Sequence, residues 1–305
     1  MTIWVCGEVL IDLLPGDGAQ RVPVVGGGPA NTAKALARLG HDVEFIDGIS
    51  IDDYGQSARA ELVRDGVNLN LALTSHLPMA LAVVSIAADG GATYDFTLDK
   101  TATFDFHETW LPDPSKYKPS VLHIGTLVLI TEPGASVLYD WAMRTAEFAP
   151  IVLDPNVRSA VLSDRDLYES VIEKWAAISS VIKVSDDDLA WLFPEKTIAE
   201  VATRWVTDGA ALVVVTRGAN GLIAFTSQGS VEVPGVAVDV IDTVGAGDTV
   251  GAIIVEAMVE RGIMSLHGEV LREVLYRAAV AAAITCSRAG AKPPHSIELA
   301  EKLES

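Results

Sequence analysis

The segment DTVGAGDTVGA, at residues 242–252, places an acid inside a turn of glycine and alanine that leads into an apolar run of helical spacing. The first N–H groups of a helix have no acceptor within the helix, and the helix dipole attracts anions to that end. Successive N–H groups of Gly245, Ala246 and Gly247 are therefore predicted to form a nest that binds a phosphate. Asp248 either caps the helix or takes a proton from a hydroxyl beside that phosphate. We favour the second interpretation, because a cap requires no run of small residues before it.

Upstream of this segment, short apolar runs alternate with amphipathic stretches of helical length. Runs such as IVLDPNV (from Ile151) and ALVVVTRG (from Ala211) are typical of strands buried on both faces. The alternation predicts an α/β fold in which helices cover both faces of a mostly parallel central sheet. The run IWVCGEVLIDLL, at residues 3–14, is interpreted as the first strand, which ends near Asp12.

Two stretches break this alternation, and one of them, GLIAFTSQGSVEVPG from Gly221, predicts a β-hairpin around a turn at 228–229. Residues 80–99 show alternating apolar and polar positions around a turn at 89–91, which predicts a β-hairpin without a helix between its strands. The chain shows no linker, low-complexity tract or internal repeat. We therefore predict a single domain over residues 1–305, with a small β lid formed by segments at about 13–25 and 72–104.

The composition is that of a globular protein and excludes several classes of partner. Lys and Arg total 22 against 41 Asp and Glu, so the net charge is −19. Such a surface repels nucleic acid and anionic lipid, and we expect small-molecule ligands instead. The start of the chain lacks the basic region of a signal peptide, and no apolar run reaches the ~18 residues of a membrane span, so we expect a cytoplasmic location. Cys6 and Cys286 lie in apolar runs and are expected to be reduced.

A second glycine-rich turn, VVGGGPANTAKALARLG at residues 24–40, runs into a predicted helix. Gly27 and Gly28 let the backbone approach a ligand closely. Asn31 and Lys34 are three residues apart and share a helix face beside the turn. The spacing is neither that of a Walker A loop nor that of G-x-G-x-x-G at a first strand. The turn is consistent with a binding site and equally with a structural turn that feeds a helix.

Polar residues that follow predicted strands are further candidates, because ligands bind at the carboxyl ends of parallel strands. Asp12 offers two oxygens to sugar hydroxyls, and Arg158 in LDPNVRS offers a planar fork to a phosphate or carboxylate. Asp188 in KVSDDDL is a candidate for orienting Mg²⁺ through water, and Thr216 follows an apolar strand where a nucleotide could lie. The alternative for each is structural: a solvated strand end, a polar loop or the acidic first turn of a helix.

The two glycine-rich segments, GGGPANTAKALARLG and DTVGAGDTVGA, resemble the two signatures of the ribokinase/PfkB family of carbohydrate kinases. The signatures lie in the expected order near opposite ends of the chain, and the resemblance covers essentially its whole length. It implies a three-layer α/β/α fold with a small β lid, which often mediates dimer contacts. It further implies transfer of the γ-phosphoryl group of ATP to a sugar hydroxyl with Mg²⁺. K⁺ is a further candidate ligand, whose requirement the sequence leaves open.

The resemblance also implies roles for individual residues. Asp248 matches the catalytic base of the family, and its anion hole is matched by Gly245, Ala246 and Gly247. The sugar-binding positions are matched by Asp12, Gly27, Gly28 and Asn31, to which the residues themselves add Arg158. The nucleotide-binding region is matched by Lys183, Ser185, Thr216, Gly218, Gly221 and Ala283. Asp188 stands where many members have a glutamate that helps to organise Mg²⁺, and it is one methylene shorter.

Within the family, GEVLIDLLP, LDPNVR and KVSDDD look most like the corresponding segments of fructokinases, although 2-keto-3-deoxygluconate kinases share several of them. An acid sugar favours added arginines or tyrosines at the lid, and TYDFTLDKTATFDF offers Tyr94, Phe96 and Lys100 but no arginine. We therefore expect a neutral sugar, with D-fructose first and its primary hydroxyl as the acceptor. Other sugar or nucleoside kinases of the family remain alternatives. A non-catalytic sugar-binding protein on the same fold is the alternative from another functional class.

Overall fold

The computed structural model of the chain describes residues 1–16, 18, 20–86 and 92–304. The strands in these residues are β1 (Thr2–Cys6), β2 (Leu10–Pro15), β3 (Arg21–Gly26), β4 (Asp42–Ile46), β5 (Gly48–Ser50), β6 (Leu73–Ser75), β7 (Leu81–Ile86), β8 (Ala92–Thr97), β9 (Val121–Gly125), β10 (Ile151–Asp154), β11 (Val181–Ser185), β12 (Leu212–Thr216), β13 (Leu222–Thr226) and β14 (Gly229–Val233). The α-helices are α1 (Gly28–Arg38), α2 (Asp53–Arg64), α3 (Pro114–Tyr117), α4 (Gly134–Ala146), α5 (Arg165–Ala176), α6 (Asp186–Leu192), α7 (Ile198–Thr207), α8 (Ala246–Arg261), α9 (Gly268–Cys286) and α10 (Ser296–Glu304).

The main sheet contains eight strands in the order β14-β13-β12-β11-β10-β9-β1-β4. The strands from β12 to β4 are parallel to one another, and β13 and β14 are antiparallel additions at one edge. The carboxyl ends of the parallel strands lie level, since Gly125 pairs with Asp154 and Ser185 pairs with Thr216. This edge of a parallel sheet is where ligands bind in open α/β folds.

Helices cover both faces of the main sheet. In β1, Ile3 and Val5 pack into a core with α1, α8 and α9, whereas Trp4 and Cys6 pack into a second core with α4, α5 and α7. The alternation follows from the two-residue period of a strand, and the apolar character of both sets follows from burial on both sides. The predicted three-layer α/β/α fold with a mostly parallel sheet is confirmed.

The run at residues 3–14, interpreted from sequence as one strand, is two strands in two different sheets. The chain leaves the main sheet at Gly7, which has a φ of +143°, and a Cβ at this position would lie 2.4 Å from Cγ of Pro29. Periodicity missed the break because both strands are buried at that point, so the apolar run continues across it. Asp12 therefore lies inside β2, between β3 and β7, and the prediction that it ends the first strand is wrong.

A small four-stranded sheet with the order β3-β2-β7-β8 lies beside the main one. It begins at Leu10, three residues before the predicted lid segment, and β7 and β8 fall within the predicted segment 72–104. The predicted turn at 89–91 lies outside the described residues. A third pairing joins β5 and β6 in parallel. The organisation of the chain as one domain with a lid stays a prediction.

The structure also bears on the cysteines and on membrane spans. Cys6 and Cys286 are both free. Burial raises the pKa of the Cys6 thiol well above its ordinary value, with further contributions from Asp47 and Glu8, so this side chain is an uncharged packing residue. Among the described residues, no helix is both long enough and apolar enough to cross a bilayer.

Replacing Gly7 with alanine is expected to destabilise the protein by about 2–4 kcal/mol, because it adds a clash with Pro29 to a strained backbone conformation. Chemical denaturation measures this loss. Gly40→Ala is the matched control, since Gly40 also has a positive φ (+98°) but meets no atom within 4 Å. Strain alone is expected to cost the control about 1–2 kcal/mol. Equal losses in the two variants would contradict the role given to close packing at Gly7.

Candidate active site

The acid of the opening segment does not cap its own helix. Helix α8 is preceded by Gly245, which has a φ of +81° and provides no side-chain cap. Asp248 is the third residue of the helix and is 7% exposed. Its Oδ2 accepts a hydrogen bond of 2.9 Å from Nδ2 of Asn31, which is 217 residues away in the sequence. Of the two interpretations, the cap is therefore excluded.

The glycine turn before α1 lies directly against Asp248. A Cβ on Gly28 would lie 2.9 Å from Nδ2 of Asn156, 2.9 Å from Oγ1 of Thr126 and 3.3 Å from Oδ1 of Asp248. A Cβ on Gly27 would lie 2.3 Å from the carbonyl oxygen of Glu8. Gly27 leaves no room for a side chain, and a side chain at Gly28 would have to displace neighbouring side-chain atoms. The structure thus brings the two glycine-rich segments together.

Burial sets the basicity of Asp248. Burial raises the pKa of this carboxyl group to about 6. The charge of Lys183 and the hydrogen bond from Asn31 lower this pKa, and the charge of Asp154 raises it. A carboxylate with this pKa is ionised at neutral pH and is a stronger base than an exposed aspartate. Such a pKa suits proton transfer from a hydroxyl group.

A buried ion pair lies below the start of α8. Nζ of Lys183 is 2.8 Å from Oδ2 of Asp154, and the two side chains are 4% and 2% exposed. A Cβ on Gly247 would lie 3.2 Å from this Nζ, so the glycine leaves the ammonium group close to the helix backbone. Burial lowers the pKa of Lys183, but Asp154 and Asp248 more than compensate, and the net shift is upward. Lys183 therefore carries a positive charge beside the first N–H groups of α8.

Asp12 and Arg158 face the same region from β2 and from the loop after β10. A Cβ on Gly26 would lie 2.2 Å from Oδ2 of Asp12. Burial raises the pKa of Asp12 to about 6, and the charge of Arg158 lowers it. The guanidinium group of Arg158 folds back onto its own loop, where Nη1 donates to Oδ1 of Asn156 at 2.9 Å and to two backbone carbonyls. Arg158 thus acts on Asp12 through charge rather than through a direct bond.

Ser185 and Asp188 form the capping box of α6. Oγ of Ser185 accepts from the N–H of Asp188, and Oδ2 of Asp188 accepts from the N–H of Ser185 at 3.1 Å. Oδ1 of Asp188 accepts from the N–H of Val157 at 2.8 Å, which ties α6 to the loop of Arg158. Each oxygen of Asp188 therefore already has one backbone partner. The organisation of Mg²⁺ by this carboxylate stays a prediction.

The residues predicted for nucleotide binding lie further along the same sheet edge. Thr216 ends β12 beside Ser185, and Gly218 has a φ of +50° with open space where a Cβ would lie. Glycine is required at position 221 for packing, since a Cβ there would lie 2.2 Å from the carbonyl oxygen of Val233. Ala283 is buried in α9. In the described part of the chain, no hydrogen bond or ion pair joins these four residues to Asp248.

Sequence reasoning missed several residues at this site. Thr126 and Asn156 contact the glycine turn with φ values of +66° and +40°, a conformation that non-glycine residues adopt rarely and mostly at functional sites. His123 and Glu8 are both buried. Both ring nitrogens of His123 and Oε2 of Glu8 lack a hydrogen-bond partner among the described residues. Burial lowers the pKa of His123 to about 3, so its ring is neutral. An isolated polar residue in an apolar run was the only signal for Glu8 and His123.

Lys34 lies away from the site. Its Nζ pairs with Oε1 of Glu61 at 2.8 Å, so the helix face that it was expected to share with Asn31 does not form a common binding surface. A cavity of about 270 Å³ between α8 and α9 also lies elsewhere. His41, Glu256 and Glu260 come together beside it, but Arg277 donates to both carboxyl oxygens of Glu256. This positive charge opposes a cation, and we assign no metal there.

The chain is similar in sequence and fold to known carbohydrate kinases. The sequence pattern of the pfkB family carbohydrate kinases matches residues 5–297. A fructokinase from Rhizobium leguminosarum bv. trifolii is 35% identical over 277 residues, which are 88% of this chain and 84% of the relative. An aminoimidazole riboside kinase from Salmonella typhimurium is 30% identical over 249 residues, which are 81% of this chain and 77% of the relative. The structure of a fructokinase with bound ATP from Xylella fastidiosa has a TM-score of 0.91 at 24% identity and covers 100% of this chain and 99% of its own.

Asp154→Asn is expected to destabilise the protein by about 3–5 kcal/mol, because it leaves the buried charge of Lys183 without its partner. Denaturant unfolding measures the loss. Glu108→Gln is the control: it breaks the ion pair with Arg144, whose side chains are 66% and 50% exposed, and should cost about 0–1 kcal/mol. The buried pair would lose its assigned importance if the two variants were equally stable.

Proposed function

The chain belongs to the pfkB family of carbohydrate kinases, and on this premise we propose that it transfers the γ-phosphoryl group of ATP to the primary hydroxyl of D-fructose. The observation that carries the proposal is the hydrogen bond between Asn31 and Asp248. It joins the glycine turn of α1, where a sugar would lie, to the start of α8, where a phosphate would lie. A base for the hydroxyl therefore stands between the two substrates, which is what phosphoryl transfer requires.

In the proposed complex the sugar lies against the glycine turn. Gly27 and Gly28 keep the backbone accessible, and Oδ1 of Asn31 is a buried acceptor without a partner among the described residues. That oxygen would accept a hydrogen bond from a sugar hydroxyl, while Nδ2 of the same side chain holds Asp248. Asp12 approaches the turn from β2 and would accept from a second hydroxyl.

Asp248 is proposed as the general base. Asn31 holds Oδ2, so Oδ1 remains toward Gly28 and the proposed sugar position. The carboxylate would take the proton of the primary hydroxyl as the oxygen attacks the γ-phosphorus. Its pKa of about 6 keeps it ionised at neutral pH and makes it basic enough to assist this step.

The phosphates would lie at the start of α8. Gly245 and Gly247 offer backbone N–H groups without side chains in the way, whereas the N–H group of Ala246 donates to the carbonyl oxygen of Thr243 at 3.3 Å. Lys183 adds a positive charge next to Gly247. This donor set fits an anion and would stabilise charge that develops during transfer. The nucleotide is proposed to extend along the sheet edge toward Ser185, Thr216, Gly218, Gly221 and Ala283.

Mg²⁺ is proposed as the metal that ATP requires. The unpartnered buried oxygen of Asp154 and the carboxylate of Asp188, acting through water, are the groups of this chain that suit it. The metal would supply positive charge to the phosphate oxygens. A requirement for K⁺, a cytoplasmic location and a homodimer formed through the small sheet remain proposals from the sequence.

A neutral sugar fits the charges of the site better than an acid sugar. Asp12 and Asp248 both contribute carboxyl groups near the glycine turn, and the guanidinium group of Arg158 is bonded to its own loop. A carboxylate on the substrate would meet the like charges of Asp12 and Asp248, which the single charge of Arg158 only partly offsets. Fructose is therefore preferred to 2-keto-3-deoxygluconate, and the relative that acts on aminoimidazole riboside makes a nucleoside the second candidate.

A coupled ADP-release assay across a panel of substrates tests the proposal. D-fructose is expected to give the highest kcat/KM, above 2-keto-3-deoxygluconate, aminoimidazole riboside and D-ribose. The physical reason is that the carboxyl groups of Asp12 and Asp248 outnumber the one cation, Arg158, that acts on both beside the glycine turn. A protein that gains thermal stability with a sugar but releases no ADP with any of them would instead be a non-catalytic sugar-binding protein.

Asp248→Asn is expected to lower kcat by ~10²–10⁴, the usual contribution of a general base. The Kd for the sugar should change little, because the amide retains the contact with Asn31. Asp187→Asn is the control, since Asp187 is exposed in the first turn of α6 and should leave kcat unchanged. Near-normal turnover in the Asp248 variant would overturn the assignment of the base.

A further inference from the structure

Glu8 is a buried carboxyl group at the point where the chain passes from the main sheet to the small one. It lies between β1 and β2 and is 1% exposed. Its carbonyl oxygen packs against Gly27, at a distance that leaves no room for a Cβ there. Its side chain interacts with its own N–H group and with the N–H group of Gly28, the first residue of α1. Oε2 has no hydrogen-bond partner among the described residues.

Helix α1 needs an external cap. The residue before it, Gly27, has no side chain, and no side-chain cap bonds to its first turn. N–H groups at a helix start normally need an acceptor, and the carboxyl group of Glu8, from another segment of the chain, interacts with that of Gly28. Because α1 carries Gly28 and Asn31 to Asp248, Glu8 adjoins the segment that positions both.

Asp47 is a useful comparison, because it is as buried as Glu8 and bonds to Val9, the next residue along the chain. Its oxygens accept from the N–H groups of Val9 and Gly48 at 2.8 and 2.7 Å and from Oγ1 of Thr103 at 3.2 Å. Asp47 is thus held by hydrogen bonds on both oxygens, and these bonds anchor the chain after Glu8. Glu8 instead turns toward the glycine turn, with Oε2 unbonded within the described part of the chain.

Burial, rather than the neighbouring charges, disfavours the ionised form of Glu8. Burial raises the pKa of Glu8 to about 8; its own N–H group and Arg158 lower the pKa, and Asp248 raises it. Five titratable groups on the surrounding elements interact with it electrostatically: Cys6 on β1, Asp47 after β4, Arg158 after β10, Tyr168 on α5 and Asp248 on α8. Burial raises the pKa of Tyr168 to about 12 and that of Cys6 well above its ordinary value, so both are neutral.

We propose that Glu8 is a positioning residue, whose buried carboxyl group holds the glycine turn and the start of α1 against Asp248. Ionisation adds a second negative charge beside Asp248 and draws Arg158 toward Glu8. Both effects displace the turn on which the sugar is proposed to rest. Glu8 touches neither the sugar nor the phosphate in this scheme and acts through Gly28 and Asn31. The inference rests on the proposed sugar kinase activity for its kinetic consequence only.

The first test is the pH profile of kcat/KM. In the wild type it should fall below pH about 6, where Asp248 gains a proton, and above pH about 8, where Glu8 loses one. Glu8→Gln mimics the uncharged form, so it should keep kcat within about threefold at pH 7 and remove the fall above pH 8. Glu8→Ala should raise KM for the sugar at least tenfold at pH 7. Asp47→Asn is the control and should keep the fall above pH 8.

Two results of that test would overturn the proposal. One is a Glu8→Gln profile with the same alkaline fall as the wild type. The other is a folded Glu8→Gln variant that is inactive at every pH, because the reaction would then need the charge of Glu8.

A second test needs no catalysis. The pKa of Glu8 is higher in the native than in the unfolded state, so its contribution to stability is complete below about pH 4.5 and is lost as the pH rises through about 8. Glutamine cannot ionise, so the Tm of Glu8→Gln relative to the wild type should rise between pH 5 and pH 8 and then level off. A Tm difference that does not change with pH would contradict an uncharged Glu8, whatever substrate the enzyme uses.

A third test uses the wild type alone and covers the case in which the variants do not fold. If sugar binding requires uncharged Glu8, binding of fructose at pH 8.5 should take up protons, and far less uptake should accompany binding at pH 7. Calorimetry in two buffers of different ionisation enthalpy counts these protons. Binding without uptake at pH 8.5 would overturn the inference, whereas no binding of fructose at any pH would count against the proposed substrate instead.

Discussion

The hydrogen bond from Asn31 to Asp248 is the interaction on which the site depends. It joins the first turns of α1 and α8, two helices that are separated by most of the chain and pack side by side on one face of the main sheet. Gly28 places no side chain beside Asp248, so the two helix starts can approach each other. One carboxylate is thereby held between a turn that suits a sugar and a helix start that suits a phosphate.

Buried charge is the second constraint on this edge of the sheet. Three carboxyl groups, those of Glu8, Asp154 and Asp248, lie close to Lys183 and Arg158 in a region with little access to water. Asp154 and Lys183 satisfy each other directly, so Lys183 stays charged. Among the described residues Glu8 has no such ion-pair partner, and burial favours its neutral form. The different environments thus separate the carboxyl groups into an ion-pair partner, a proposed base and a proposed positioning group.

The fold was predictable from the sequence to the extent that it follows from local pattern. Buried runs such as β10 and β12 are apolar on both faces, which predicts parallel strands under two helical layers. The break at Gly7 was not predictable, since an apolar run looks the same whether it continues in one sheet or passes to another. Asp12 was misplaced for the same reason. Of the site, the nest before Asp248 was visible as a motif, but Thr126 and Glu8 carry no local signal that assigns them to it.

The sequence by itself determined which segments are glycine-rich, which are apolar, and that an acid follows a run of small residues at a helix start. Those properties are local, because side-chain size, backbone freedom and periodicity act over a few residues. Only the tertiary structure decided that Asp248 bonds to Asn31 rather than capping α8, that Lys34 pairs with Glu61, and that Glu8 is buried beside Gly28. Hydrogen bonding and pKa depend on which distant segments exclude water and supply partners, and this is a property of the packed chain.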